Sequence, residues 1–220
     1  MYSIINEKAE KILEEFSIKS GGIKKYVEHY VFTRDLKLKK QTREKYEKNF
    51  MHFYALNAAH LDKSFLKNFF EKLFDEKYQK MGAKEVLEEI LNEWEKDGFN
   101  SVQFSFATKL VHSINGKTPI YDSKIASFYI LPNFHNLSNK DSKIALCKDI
   151  YDFLENEYAT INRDKKLDDA IKLFKDKLKE ENPNQIDPIS DEKIIDYYIW
   201  QFTKMLQDPK SSFYKEIRRV

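Results

Sequence analysis

Cysteine occurs once in the 220 residues, at Cys147. A single thiol closes no disulfide within the chain and offers no thiolate cluster to zinc or to an iron–sulfur centre. A reducing, cytoplasmic setting fits that usage. Proline is absent before Pro119, and glycine occurs at Gly21, Gly22, Gly82, Gly98 and Gly116 alone. With so few helix breakers, long helices are allowed throughout the first half. Apolar runs of membrane-spanning length are missing, and charges arrive at Glu7 and Lys8 before any signal-peptide core could form. The expectation is a protein neither exported nor embedded in a membrane. An excess of one charge is lacking too: 38 Lys and Arg stand against 36 Asp and Glu, a formal net charge of +2. Bulk charge thus makes no case for nucleic acid, and a DNA-binding face needs local segregation. Arg34 to Lys48 is such a segment, with Arg34, Lys37, Lys39, Lys40, Arg43, Lys45 and Lys48 against Asp35, Glu44 and Glu47. A solvated connector and helix face would show the same pattern.

What is abundant is aromatic: 17 Phe and 13 Tyr within a hydrophobic fraction of 41%. A core built from rings is expected, and a chain of this length can bury one without disulfides or metals. The apolar residues recur at helical spacing. Ile5, Ala9, Ile12, Leu13 and Phe16 share a face that ends at Gly21-Gly22, and a second helical stretch covers about Lys24 to Phe32. Val86, Leu87, Ile90, Leu91 and Trp94 form another face between Gly82 and Gly98. Ser138 and Asp141 are spaced as a capping pair ahead of a helix carrying Ile144, Cys147, Ile150 and Leu154. Asn182-Pro183 ends one helix, and Ser190 after Pro188 is placed to cap the next, which is apolar nearly all round and predicted to be deeply buried. Strand-like alternation is not sustained anywhere, so the predicted class is all-α. One compact helical unit over residues 1–220 is expected, with lobes of about 1–98 and 99–220 as its natural subdivision.

One stretch carries residues suited to chemistry. Ala107 to Ile114 reads as a short apolar helix ending at Asn115-Gly116, a pair that tolerates left-handed dihedrals. Thr118 to Tyr121 reads as extended, because Pro119 disfavours helix before it, and Asp122 is placed to cap a helix carrying Ile125, Phe128 and Tyr129. A helical advance from Lys109 to Asn115 covers about 9 Å, whereas an extended return to Asp122 spans roughly 20 Å. Lys109 and Asp122 are thereby able to meet. A lysine and a carboxylate converging at a helix N-terminus suit amine nucleophilic chemistry with electrostatic assistance.

Thr108-Lys109 followed by Pro119-Ile120-Tyr121-Asp122 resembles the helix-hairpin-helix DNA glycosylases, the superfamily containing the 8-oxoguanine, adenine-mismatch and thymine-glycol enzymes. The resemblance implies an all-helical fold, a nucleophilic lysine early in the helix after a tight hairpin, and an essential aspartate capping the next helix. Lys109 would then form a Schiff base with the sugar of a flipped-out nucleotide, with Asp122 stabilising the developing positive charge. Double-stranded DNA is the implied partner, and no cofactor is implied. Ser105 and Ala107 stand where the family usually carries Gly-x-Gly, the lysine-to-aspartate connection is shorter than usual, and no four-cysteine cluster follows. The remaining DNA- and substrate-contact candidates are His112, Lys117, Lys124, Phe128, Tyr129 and Trp200, together with Phe134, Tyr198, Arg218 and Arg219.

Each candidate has a plainer role beside the chemical one. Asp122 would cap a helix in any case, Lys109 and the other lysines fit an ordinary solvated surface, and His112 fits a partly buried, hydrogen-bonded histidine. The aromatics at helical spacing fit a core. His29, His52, His60 and His135 show no metal-ligand spacing, and no metal site is expected. The alternative to a glycosylase, with or without lyase activity, is a non-catalytic helical scaffold for nucleic acid or protein.

Overall fold

Gly21 and Gly22 take φ values of 79° and 101°, backbone that L side chains rarely adopt, and turn the chain between its first two long helices as the sequence predicts. The computed structural model describes residues 1–34, 43–56, 62–96, 102–182 and 189–217. Those residues form twelve α-helices and no strand. In chain order they are α1 Tyr2–Glu7, α2 Ala9–Ser20, α3 Ile23–Arg34, α4 Arg43–Phe53, α5 Lys63–Phe74, α6 Ala83–Lys96, α7 Phe104–Asn115, α8 Ser123–Tyr129, α9 Lys140–Arg163, α10 Asp168–Glu181, α11 Asp191–Leu206 and α12 Ser212–Ile217. None of them is long and apolar enough to cross a membrane. Gly98, His60, Pro183, Pro188, the basic-segment residues Asp35, Lys37, Lys39 and Lys40, and Arg218 and Arg219 lie outside the described residues.

The caps follow the sequence with one correction. Asp122 and Ser190 begin α8 and α11 as predicted, each accepting from backbone N–H groups of the first turn. For α9 the cap is Asn139, whose side chain accepts from Ser142 N at 3.0 Å, and Ser138 lies one residue outside. Asparagine caps as well as serine, and this start leaves Asp141 in the first turn, where the helix dipole favours a negative charge.

One cluster of buried apolar side chains extends from Ile5 to Phe213. Rings supply much of it: Phe50 meets Tyr46, Tyr54, Phe69 and Phe70 with centroids 4.7 to 5.8 Å apart. Cys147 is buried in the same core, which pushes its thiol up to about 12. Helix α11 is the most enclosed element and packs on α1, α2, α8, α9, α10 and α12. Helix α7 packs on α3, α5 and α6. Because α3 lies against α10 as well as α7, and α8 lies against α11, the start of α7 and the start of α8 are brought to the same flank as α11.

One side chain of α1 reaches a segment 160 residues further along the chain. Asn6 donates from Nδ2 to the Lys166 carbonyl at 3.0 Å and accepts at Oδ1 from Ala170 N at 3.2 Å, tying α1 to the entry of α10. Removing it strands a carbonyl and a first-turn amide, groups whose lost pairing costs about 1–3 kcal/mol. Asn6→Ala should lower the denaturation midpoint by that amount of stability. Asn6→Asp keeps the acceptor for Ala170 N, and chemical denaturation should place it between Asn6→Ala and the native chain.

Candidate functional site

Helix α7 starts three residues earlier than the sequence suggests, and this places Ser105 and Ala107 in its first turn. Neither residue is glycine: alanine is the best helix former, and serine is acceptable in a first turn. The Phe106 and Ala107 amides bond to Gln103 O at 3.0 Å each. A hairpin loop would have offered such amides to a phosphate, so the family's Gly-x-Gly position is helical here.

From the far end of α7 the chain returns along the same helix, held by two of its side chains. His112 is 0% exposed, and its Nδ1 lies 2.5 Å from the Thr118 carbonyl while Nε2 lies 2.9 Å from the Tyr30 hydroxyl. A carbonyl only accepts, so Nδ1 carries the hydrogen and Nε2 accepts from Tyr30. Burial, with Lys193 adding to it, holds the imidazole well below its ordinary value, and His112 is neutral. Thr108 makes the second tie, its Oγ1 accepting from Tyr121 N at 3.0 Å. Gly116 has φ −16° and not the left-handed backbone expected of it. Its lack of a side chain serves a close approach: the Arg34 guanidinium occupies the space a Cβ would fill.

These ties set Asp122 beside the first half of α7. Asp122 takes extended backbone, and its Oδ1 accepts from both Lys124 N at 2.8 Å and Ile125 N at 3.0 Å. Lys109, half-buried, donates from Nζ to Ser105 Oγ at 2.6 Å and lies 5.3 Å from the Phe106 ring centroid. Burial lowers its pKa from the ordinary lysine value. The charges of Asp122 and Asp196 oppose that shift, and Lys193 reinforces it.

Lys109 and Asp122 stand in the wall shared by two cavities. The first, of about 860 Å³, is bounded by the starts of α7 and α8 and by residues 130–135. The second, of about 520 Å³, is walled by Phe16, Tyr26, Phe53, Tyr197 and Trp200, and it also contains Lys193 and Asp196. Lys193 Nζ donates to Asp196 Oδ2 at 2.7 Å, with the two residues 5% and 8% exposed. The rings of Tyr30, Phe53 and Tyr54 surround the ammonium at 5.8 to 5.9 Å. Burial is the largest influence on Lys193 and works against its charge, but Asp196, Tyr26 and Tyr54 together outweigh it and hold the lysine protonated. Burial pushes Asp196 up from the usual carboxylate range, against Lys193 and with help from Asp122. Two lysines and two aspartates therefore act on one another across one site.

Of the other residues singled out in the sequence, Trp200 lines the second cavity, with Lys204 Nζ 4.6 Å from its ring, and Phe134 lines the first. His112 is corrected from a contact residue to an internal brace, because both its ring nitrogens are engaged and no part of it reaches the surface. Phe128 is likewise corrected: it is buried against Tyr2, Tyr129 and Phe202, away from either cavity. Tyr129 faces Phe153 and shares a hydrogen bond with the Tyr2 hydroxyl, so it too lies outside both cavities. Lys117 is exposed on the turn after α7, Lys124 is bonded to Gln207 Oε1, and Tyr198 is fully buried. Lys193 and Asp196 are the residues the sequence argument missed. Their signal was present as two opposite charges set among Ile194, Ile195, Tyr197, Tyr198 and Ile199. Among the described residues no group of three His, Cys, Asp or Glu side chains is placed to hold a metal ion. Comparison with protein-family models, curated proteins and solved structures finds no match to this chain.

Breaking the buried pair from one side leaves an uncompensated charge, which costs about 3–5 kcal/mol, whereas replacing both members with apolar groups is far milder. Lys193→Met alone should therefore destabilise the protein by that amount in denaturant titrations. Lys193→Met with Asp196→Leu should recover most of the loss.

His112 generates a pH dependence whose sign is fixed. The unfolded chain takes up a proton on this residue below about pH 6.5, and the folded chain does not. Stability should then fall by up to about 1.4 kcal/mol per pH unit as the solution is acidified from there toward the depressed folded value. Thermal melts across that window should show a steeper fall for the native protein than for His112→Gln, which starts less stable but no longer titrates at this position.

Proposed function

We propose that the protein is a divergent DNA glycosylase, with lyase activity, that acts through Lys109 and Asp122. The observation that carries this reading is the pairing of a partly buried, pKa-lowered lysine with an N-capping aspartate in the wall between two cavities. Cavities of this size accept a nucleotide-sized ligand, and the aromatic walls of the second suit a planar base removed from its stack.

In this reading the lone pair of neutral Lys109 Nζ forms a bond to the anomeric carbon as the glycosidic bond breaks. The base leaves with the bonding pair and is protonated by water, and the amine gives up its extra proton. Opening of the sugar ring then yields the imine. The Asp122 carboxylate faces the positive charge that develops on the sugar, and its fixed position means no reorganisation at the moment of reaction. Burial favours the neutral amine, and Lys193 supports it with a like charge. The aromatic second cavity holds the base during the step, with Trp200 on its wall.

The helical scaffold reading draws on the helical Ser105–Ala107 turn, whose bonded amides are not offered to a phosphate. The two readings part in a trapping experiment. Borohydride reduction on an oligonucleotide bearing an abasic site should give a covalent adduct that Lys109→Ala abolishes. Trapping should rise with pH through a value below that of an ordinary lysine. Asp122→Asn preserves the cap but removes the largest charge opposing the lowered lysine pKa. Its trapping rate should drop about 10²-fold, and its pH profile should move toward lower pH. Absence of an adduct on abasic, uracil-containing and 8-oxoguanine-containing duplexes would leave the scaffold.

A further inference from the structure

Ser105 and Lys109 lie about one turn apart on α7, which puts their side chains on the same face. Lys109 Nζ is 2.6 Å from Ser105 Oγ, the distance at which a base takes a hydroxyl proton. The contact serves either protonation state: an ammonium donates to the hydroxyl oxygen, and a neutral amine accepts the hydroxyl hydrogen. A helical Ser–Lys pair in water keeps its lysine charged and its serine inert. Here the pair stands in a cavity wall, where burial shifts Lys109 toward the neutral form that can accept a proton. The serine is also at the positive end of the helix. Gln103 makes no side-chain cap, and the Phe106 and Ala107 amides are committed to Gln103 O, whereas those of Phe104 and Ser105 precede the first intrahelical bond. Negative charge forming beside Ser105 Oγ is favoured there.

The cavity defines what such a pair would act on. Ser105 and Lys109 share its wall with Val102, Phe106, Leu131 and Phe134, in a space of about 860 Å³. Among the described residues lining it, Lys109 is the only lysine or arginine and Asp122 the only carboxylate. A wall of this kind accepts an apolar group and gives a charged substrate little to pair with.

We propose that Ser105 is an acyl-transfer nucleophile with Lys109 as its general base, and that the first cavity hydrolyses uncharged esters with apolar acyl groups. Ser105 Oγ bonds to the ester carbonyl carbon as its proton passes to Lys109 Nζ. The C–O bond to the alcohol then breaks, and the leaving oxygen takes that proton from the ammonium. Water attacks the acyl-serine and gives a proton to Lys109. The bond to Ser105 Oγ breaks, the acid departs, and the proton returns to Ser105. The activity is separate from the glycosylase reading, in which Lys109 is itself the nucleophile and Ser105 forms no bond. The experiment exposes the protein to a fluorophosphonate probe and, in parallel, to p-nitrophenyl butyrate. The probe should attach at Ser105, located by peptide mass spectrometry, and the ester should give a burst of p-nitrophenol stoichiometric with protein. Ser105→Ala should abolish both signals while its thermal midpoint stays near the native one, since alanine suits a first helical turn. Lys109→Met should slow both about 10²-fold, the scale of a lost general base. In the native protein the labelling rate should rise with pH through a value below that of an ordinary lysine. Labelling at Ser105 that depends on Lys109 supports the proposal whether or not abasic DNA is trapped. No labelling, labelling that survives Ser105→Ala, or a rate indifferent to Lys109→Met would overturn it, and borohydride trapping in those cases would leave the lysine chemistry standing alone.

Discussion

Taking a lysine and an aspartate out of water costs several kcal/mol for each ion, and α11 does so in the middle of the molecule. Lys193 and Asp196 offset this through one short hydrogen bond and the faces of three rings. The condition reaches beyond the pair. A rotation of α11 by one residue would turn both charges against Ile or Tyr side chains, so its rotational setting against α2, α8 and α10 is fixed. Because α8 packs on α11, the setting also fixes where α8 begins, and so where Asp122 sits. Lys109 arrives on α7 from the other side, through the contact of α7 with α3. The geometry of the candidate site thus depends on the buried pair, although the pair comes from a different part of the chain.

The helices were legible because breakers are scarce and each one present has a defined effect. Gly21-Gly22, Asp122 and Ser190 did in the structure what their chemistry dictates. The failures fall where a tertiary partner decides. Nothing in Asn115-Gly116 announces that Arg34, more than 80 residues earlier, will lie on the glycine. The glycosylase resemblance puts Ser105 and Ala107 in a loop, but neither is a glycine that a tight hairpin would need, and both fall in the first turn of α7 instead. His112 shares a helical face with Lys109 only if three residues of separation are taken alone. Its actual direction is set by Tyr30 and Thr118, on segments that the local sequence does not place. Lys193 and Asp196 have the spacing of ordinary surface pairs, and only the apolar residues filling every side of α11 marked them as different.

Within the site, capping and charge are carried by the same residue without conflict. Both backbone bonds to Asp122 fall on Oδ1, and the residue lines both cavities. An asparagine would keep those bonds and lose the charge, so folding and electrostatics are separable at this position. Lys109 is subject to opposed influences. Burial and Lys193 favour the neutral amine, while Asp122 and Asp196 favour the ammonium. A fully isolated buried lysine would be neutral but would lack a counter-charge for a cationic transition state. A fully paired one would have the counter-charge and no nucleophilic lone pair. In the proposed glycosylase reading, the intermediate arrangement, with one carboxylate fixed by a helix start and another paired with its own lysine, favours both.

The same division appears in the backbone. The described residues hold three non-glycine positions with positive φ, and two of them, Ala55 and Ile130, border the cavity containing Lys109 and Asp122. The third, Lys165, lies between α9 and α10, so two of the three strained positions are where α4 and α8 end. An alanine tolerates that backbone at modest cost and an isoleucine at a larger one. Stability alone would have replaced the isoleucine with glycine, which fits the turn and exposes no apolar surface.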